Sequence, residues 1–454
     1  MRPGRPRRPG RSGAAGRPGV RGLGRGPEAA RQQRRLRLVS PGETARALKT
    51  TGQEVLAFWS RERSTVRQGF TALAISTGVG MAAGIVLGRM EGLLAQLPGL
   101  MVLVPAAIGM RGAIFGALGA RLGTGMLTGQ FSGRLTRGDF GSQNVAAAAL
   151  LSVSSSAFAA VAARAMAAIF GLPSISVWEL MVVSVVGGIL SSAFVLVGVL
   201  FLARTALRRS WDMDAIGSPL ITATGDIVTL PALVAATFLV GLGQISIVLG
   251  MVLALLAVVA VWRNLRSPAA ITRRIAAESL PVLAYAAIMD IFAGTVLEAR
   301  LETLLVSPAL LVLIPPFIAT CGSLGGILSA RLGSDLHLGL LRPRRWPEAL
   351  AGLEASVIVL FSLAAFSGVG LIGHLAAQAA GLESPGVLTM AGITLGGGLL
   401  AIGFMFAVAY YAATATYRFG LDPDNYGIPI VTATMDFLGV ICLVAAIAVA
   451  GLTV

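Results

Sequence analysis

The chain has 454 residues, 55% hydrophobic and 13% charged, with a net charge of +15 and a mean hydropathy of +0.81. A soluble domain carries about 25% charged residues. This chain has too few to coat a water-facing surface, and uncharged runs such as 241–262 match the roughly 20 apolar residues that cross a bilayer core.

Residues 1–65 read as a basic, largely disordered cytoplasmic segment. The first 37 hold 12 Arg and one Glu among many Gly and Pro, a composition that cannot build a core. Such an arm either touches anionic lipid or nucleic acid, or is a solvated tail; no nucleic-acid partner is expected. No apolar stretch follows it as in a signal peptide. The single lysine is Lys49 and no GxxxxGK[ST] loop occurs, which excludes P-loop ATP hydrolysis. No catalytic or cofactor-binding residues are assigned.

Eleven apolar segments follow, near 68–90, 97–119, 143–169, 179–203, 217–240, 244–262, 278–297, 306–330, 350–372, 387–416 and 427–451. With a cytoplasmic N-terminus, 14 loop arginines fall inside and only Arg89 and Arg300 outside. This satisfies the positive-inside rule and puts the C-terminus outside. The expected fold is all-α and polytopic, in the plasma (inner) membrane.

A shift of 210 residues aligns Pro98–Gly123 with Pro308–Gly333 at 13 of 26 positions, and Asp212–Asp226 with Asp422–Asp436 at eight of 15. Apolar bias does not match Pro, Arg, Thr and Asp at one constant offset. The chain therefore reads as a first repeat (66–243), a linking transmembrane helix and cytoplasmic loop (244–273) and a second repeat (274–454). Five spans reverse the chain, and the single linking span restores its direction. The halves are then parallel repeats about a pseudo-twofold axis along the membrane normal, and one chain acts as a pseudodimer.

The repeated D-x-D-x-x-G-x-P-x-x-T-A-T-x-D carries the chemistry. Pro219 and Pro429 are expected in the first turn of each fifth span. Asp226 and Asp436 then fall seven residues deeper, about 10 Å down the helix and near mid-membrane. Thr222 and Thr432 share their faces one turn earlier. A mid-bilayer aspartate costs about 2.5–3.5 kcal/mol. Two facing carboxylates repel unless one takes a proton or a divalent cation lies between them. Mg²⁺ suits such a place, because it keeps its waters and is held by one or two carboxylates. The alternative is that each aspartate is neutral or locally paired. Asp212, Asp214, Asp422 and Asp424 precede these spans, as helix caps or as an acidic mouth.

The second spans are Gly-rich with Pro105 and Pro315. Gly112, Gly116, Gly322 and Gly326 allow close packing, or the Pro and Gly break the helix and expose carbonyls. Asp290 faces glycine at its duplicate position, Gly80; it pairs, carries protons, or is locally satisfied. Cys321 and Cys442 read as buried thiols. His374 reads as a solvated loop residue, and His337 with Asp335 as either a metal ligand or a bystander.

At these residues the chain resembles the membrane domain of the MgtE and solute carrier family 41 magnesium transporters, in tandem form. DPDNYGIPIVTATMD (422–436) and DMDAIGSPLITATGD (212–226) are similar to the family's aspartate signature, and 105–124 and 329–339 to its second-span segments. The resemblance implies a cation pore between second and fifth spans. It puts the ion-binding aspartate at Asp226 and Asp436, and the motif-opening aspartate at Asp212 and Asp422. The family's Gly-Asn is replaced by Gly112-Ala113 and Gly322-Ser323, which bears on selectivity. Arg111 either repels ions or leaves the path. Transport of a divalent cation, Mg²⁺ first, is the expected function; a Na⁺- or H⁺-coupled exchanger and a non-transporting scaffold are the alternatives.

Overall fold

The computed structural model describes residues 63–133, 135–209, 213–421 and 426–452. The basic segment up to Glu62 lies outside the described residues, as do Asp212, Asp422 and Asp424. Among the described residues the protein is all-helical, without strands.

Thirteen helices are described: α1 (Arg63–Gly88), α2 (Glu91–Gln96), α3 (Leu100–Leu127), α4 (Phe140–Ile169), α5 (Val177–Arg209), α6 (Met213–Thr237), α7 (Gln244–Leu265), α8 (Ala270–Glu298), α9 (Leu301–Val306), α10 (Ala309–His337), α11 (Ala349–Ala379), α12 (Val387–Phe419) and α13 (Ile428–Val449). Apolar runs set their lengths and glycine punctuates their ends. Gly420 closes α12 in the left-handed region (φ 65°). The next amide, that of Leu421, bonds back to Thr416 O at 2.9 Å, which satisfies a carbonyl the helix end would leave open.

Nine of these helices are long and apolar enough to cross a membrane, and α1 and α6 carry shorter apolar stretches, Leu73–Gly88 and Thr224–Thr237. Large apolar side chains such as Phe194, Phe201, Leu255 and Val258 point outward. Water would penalise so much exposed apolar surface, whereas lipid does not. Helix α7 packs on α4 and α5 and presents most of its surface outward.

The 210-residue offset recurs in the packing. Ser184 Oγ donates to Ser156 O at 2.6 Å, and Thr394 Oγ1 donates to Phe366 O at 2.7 Å. Arg121 bonds Asn144, and Arg331 pairs with Glu354. The first helices are exchanged between the halves: α1 packs on α10 and α11 as well as α6, and α8 packs on α3 and α4 as well as α13. Glycine makes these crossings possible. A side chain at Gly84 would strike Val312 O, and one at the duplicate Gly294 would strike Val102 O. The swap is further tied by Glu298 of α8, whose Oε1 accepts from Gly99 N at 2.8 Å at the start of α3.

Three expectations are corrected. Helix α6 is described over Met213–Thr237, so Pro219 lies inside it rather than in its first turn; Pro429 does stand at the start of α13. The second spans do not break. Helices α3 and α10 run continuously through Pro105 and through Pro315 and Pro316. Neighbouring helices that re-satisfy a freed carbonyl let a membrane helix keep an internal proline. His374 belongs to helix α11 rather than a loop, with Nδ1 on Ser384 Oγ at 2.8 Å.

Candidate functional site

Each fifth helix lies against the second helix of its own half, α6 on α3 and α13 on α10. The contact is made through glycine. A side chain at Gly112 would come within 3.1 Å of Thr222 Cγ2, and one at Gly326 within 3.3 Å of Thr432 Cγ2. Gly322 faces both Thr432 and Asp436, and a Cβ there would lie 2.9 Å from Asp436 Oδ1. Thr432 and Asp436 thus share one face, as their four-residue spacing requires. Thr432 Oγ1 donates to Pro429 O at 3.1 Å.

Asp226 is buried and Asp436 half-buried. At 1.5 Å per residue, Asp226 lies about 17 Å from the C-terminal end of α6 and Asp436 about 20 Å from that of α13. Both carboxylates are therefore well inside their helices. Asp214 is in the first turn of α6, with its side chain outside the described residues.

Asp290, on α8, lies against α3. It is 2% exposed, and its Oδ1 has no hydrogen-bond partner among the described residues. Its other oxygen fills the gap above Gly109 of α3. Sequence reasoning left its role open; the missing acidic duplicate was the available signal. No group of three or more His, Cys, Asp or Glu that could hold a metal ion occurs among the described residues. His337 is otherwise engaged, bonding Gly333 O at 2.8 Å and packing edge-on against Tyr417.

Arg111 leaves the contact between α3 and α6. Its guanidinium donates to Ser191 Oγ at 3.1 Å and to Ser156 Oγ at 2.9 Å, on α5 and α4, and is fully buried. A cavity of about 260 Å³ between α8, α9 and α13, lined by Val296, Thr303, Ile441 and Val444 among others, is mostly apolar and includes none of the carboxylates above.

The family model described as MgtE, divalent cation transporter, matches residues 104–236 and 314–446. The two matched segments are again 210 residues apart. No curated protein and no solved structure matches the chain.

Proposed function

Given that the chain belongs to the MgtE divalent cation transporter family in its two-repeat form, we propose that it moves Mg²⁺ across the plasma membrane through a path between its halves. The family is one of transporters rather than enzymes, and the cation is cargo. Eleven spans in two parallel repeats, related by an axis along the membrane normal, put the N-terminus in the cytoplasm and the C-terminus outside.

Asp226 and Asp436 hold the ion at mid-membrane. The observation that carries this reading is that duplicate carboxylates lie well inside the fifth helices, on the face whose threonine one turn earlier meets a glycine of the second helix. In a low-dielectric interior their joint ionisation is unfavourable, and a divalent cation removes the repulsion. Mg²⁺ keeps several waters. Thr222 and Thr432, one turn before the aspartates, bind those waters. Asp212, Asp214, Asp422 and Asp424 form the acidic cytoplasmic mouth that concentrates cations.

The test is Mg²⁺ flux into liposomes. Asp226→Ala with Asp436→Ala is expected to abolish flux while elution volume and helix content stay native. Undiminished flux in the folded double variant rejects the site.

A further inference from the structure

We propose that a phospholipid of the surrounding bilayer docks between α8, α9 and α13, with an acyl chain in the apolar cavity there and its phosphate on Arg300. The inference goes beyond the transport reading and does not depend on it.

The cavity, of about 260 Å³, lies near the C-terminal ends of α8 and α13, beside the short helix α9. Its walls are aliphatic, with Leu304, Ile441 and Val444 among them, and Ala445 and Ala448 stand where larger side chains would narrow it. The polar side chains in the lining are Arg300 and Thr303. An apolar cavity of about 150 Å³ stays dry and accepts a benzene-sized guest, so water is a poor occupant for this one. Ile441 is 38% exposed, and Val449, next to Ala448, is 88% exposed. On a membrane-spanning helix such surface meets lipid, and the apolar guest at hand is an acyl chain.

Arg300 supplies the headgroup contact. In the proposed orientation it is one of two loop arginines outside, against 14 inside. Arg89, the other, donates to Ala380 O at 3.4 Å. Arg300 is exposed and joins no ion pair among the described residues. Glu302, close in sequence, is not in the lining, and Glu298 turns its Oε1 to Gly99 N. The guanidinium at the cavity is thus left for another anion, and its planar fork matches a phosphate with two parallel bonds. At the duplicate positions of Arg300 and Thr303 stand Met90 and Leu93, and Met90 is 4% exposed, packed in the core. These polar groups therefore belong to the second half alone. Tail burial does not select the guest, because lipid tails already surround the protein and are as apolar as its side chains. The phosphate contact selects it.

The experiment titrates the purified full-length chain in detergent with dioleoyl phosphatidylglycerol and, separately, with dioleoylglycerol. Native mass spectrometry reads the first lipid bound. The two lipids share their tails and differ in the phosphate headgroup. The native chain is expected to bind the phospholipid tighter by about tenfold or more. Arg300→Gln should erase that preference, and Arg300→Lys should keep part of it. Ala448→Phe, which narrows the cavity and copies Phe238 at the duplicate position, should weaken binding of both lipids. Both positions are exposed, so the variants are expected to fold, as helix content and elution volume will show. Equal binding of the two lipids by the native chain, or an undiminished preference in Arg300→Gln, overturns the proposal. So does native lipid affinity in folded Ala448→Phe, or a changed oligomer mass in that variant with lipid binding intact, which would make the cavity a contact between copies. No outcome bears on the Mg²⁺ path, whose residues lie outside the lining.

Discussion

Arg111 and Cys321 are duplicate positions on α3 and α10, yet their surroundings have diverged together. Arg111 sits among Ser156 and Ser191; the same places around Cys321 are Phe366 and Ala401. In the second half Cys321 packs against Gly439, and Phe366 stacks on Phe317 at 4.8 Å. One half thus solves the interior with a charge and hydroxyls, the other with apolar volume. The contrast teaches that the two halves share backbone crossings while their side-chain neighbourhoods differ as sets. Buried polar groups are mostly hydrogen-bonded, and Arg111 meets this at two of its three nitrogens, its Nη1 having no hydrogen-bond partner among the described residues.

The largest effect expected from breaking this comparison is Cys321→Arg, which buries a guanidinium where neither Phe366 nor Ala401 offers a side-chain acceptor. It should cost about 3 kcal/mol or more, read by chemical unfolding in detergent. Adding Phe366→Ser and Ala401→Ser should restore part of the loss; no recovery would refute the idea of matched sets. Arg111→Met is expected to stay within about 1 kcal/mol of native. Ser156 Oγ and Ser191 Oγ keep their bonds to Ser152 O and Gly187 O, at 2.7 and 2.8 Å.

Next come the exchanged first helices. Gly84→Ala and Gly294→Ala each place a methyl on a facing carbonyl, and each should cost about 1–3 kcal/mol. Equal losses sharpen the equivalence of the two crossings; a loss confined to one variant contradicts it.

The smallest effect concerns the start of α4. Asp139 accepts from Ser142 N at 2.6 Å and Thr136 N at 2.7 Å, and these bonds hold its carboxyl down to about 2. A depressed value means that the cap's contribution is full above the unfolded value of about 3.9 and disappears as pH falls through about 2. Asp139→Ala should lower Tm slightly at neutral pH, and the difference from native should close in that acid window. Glu348 starts α11 with no side-chain cap bond, and Glu348→Ala should shift Tm less.

Much of the fold was legible in the residues. Hydropathy runs located the helices, and the offset of 210 carried over from matched Pro, Arg, Thr and Asp to matched contacts. Of the candidate site, the shared face of Thr432 and Asp436 followed from helical spacing. The route of Arg111 did not, because its partners lie 45 and 80 residues away on other helices. Pro219 was misplaced because the local preference for a first-turn proline does not by itself fix where a helix begins.

The sequence by itself determined that this is an all-helical membrane transporter of duplicated design, because run length, low charge and a constant repeat offset are local properties of the chain. Only the tertiary structure decided that α1 and α8 cross into the opposite halves, and that Asp290 comes to lie against Gly109 of α3. Apolar faces are nearly interchangeable in lipid, so which helices become neighbours depends on small residues such as Gly84, Gly109 and Gly294 meeting a partner backbone or side chain at the right height.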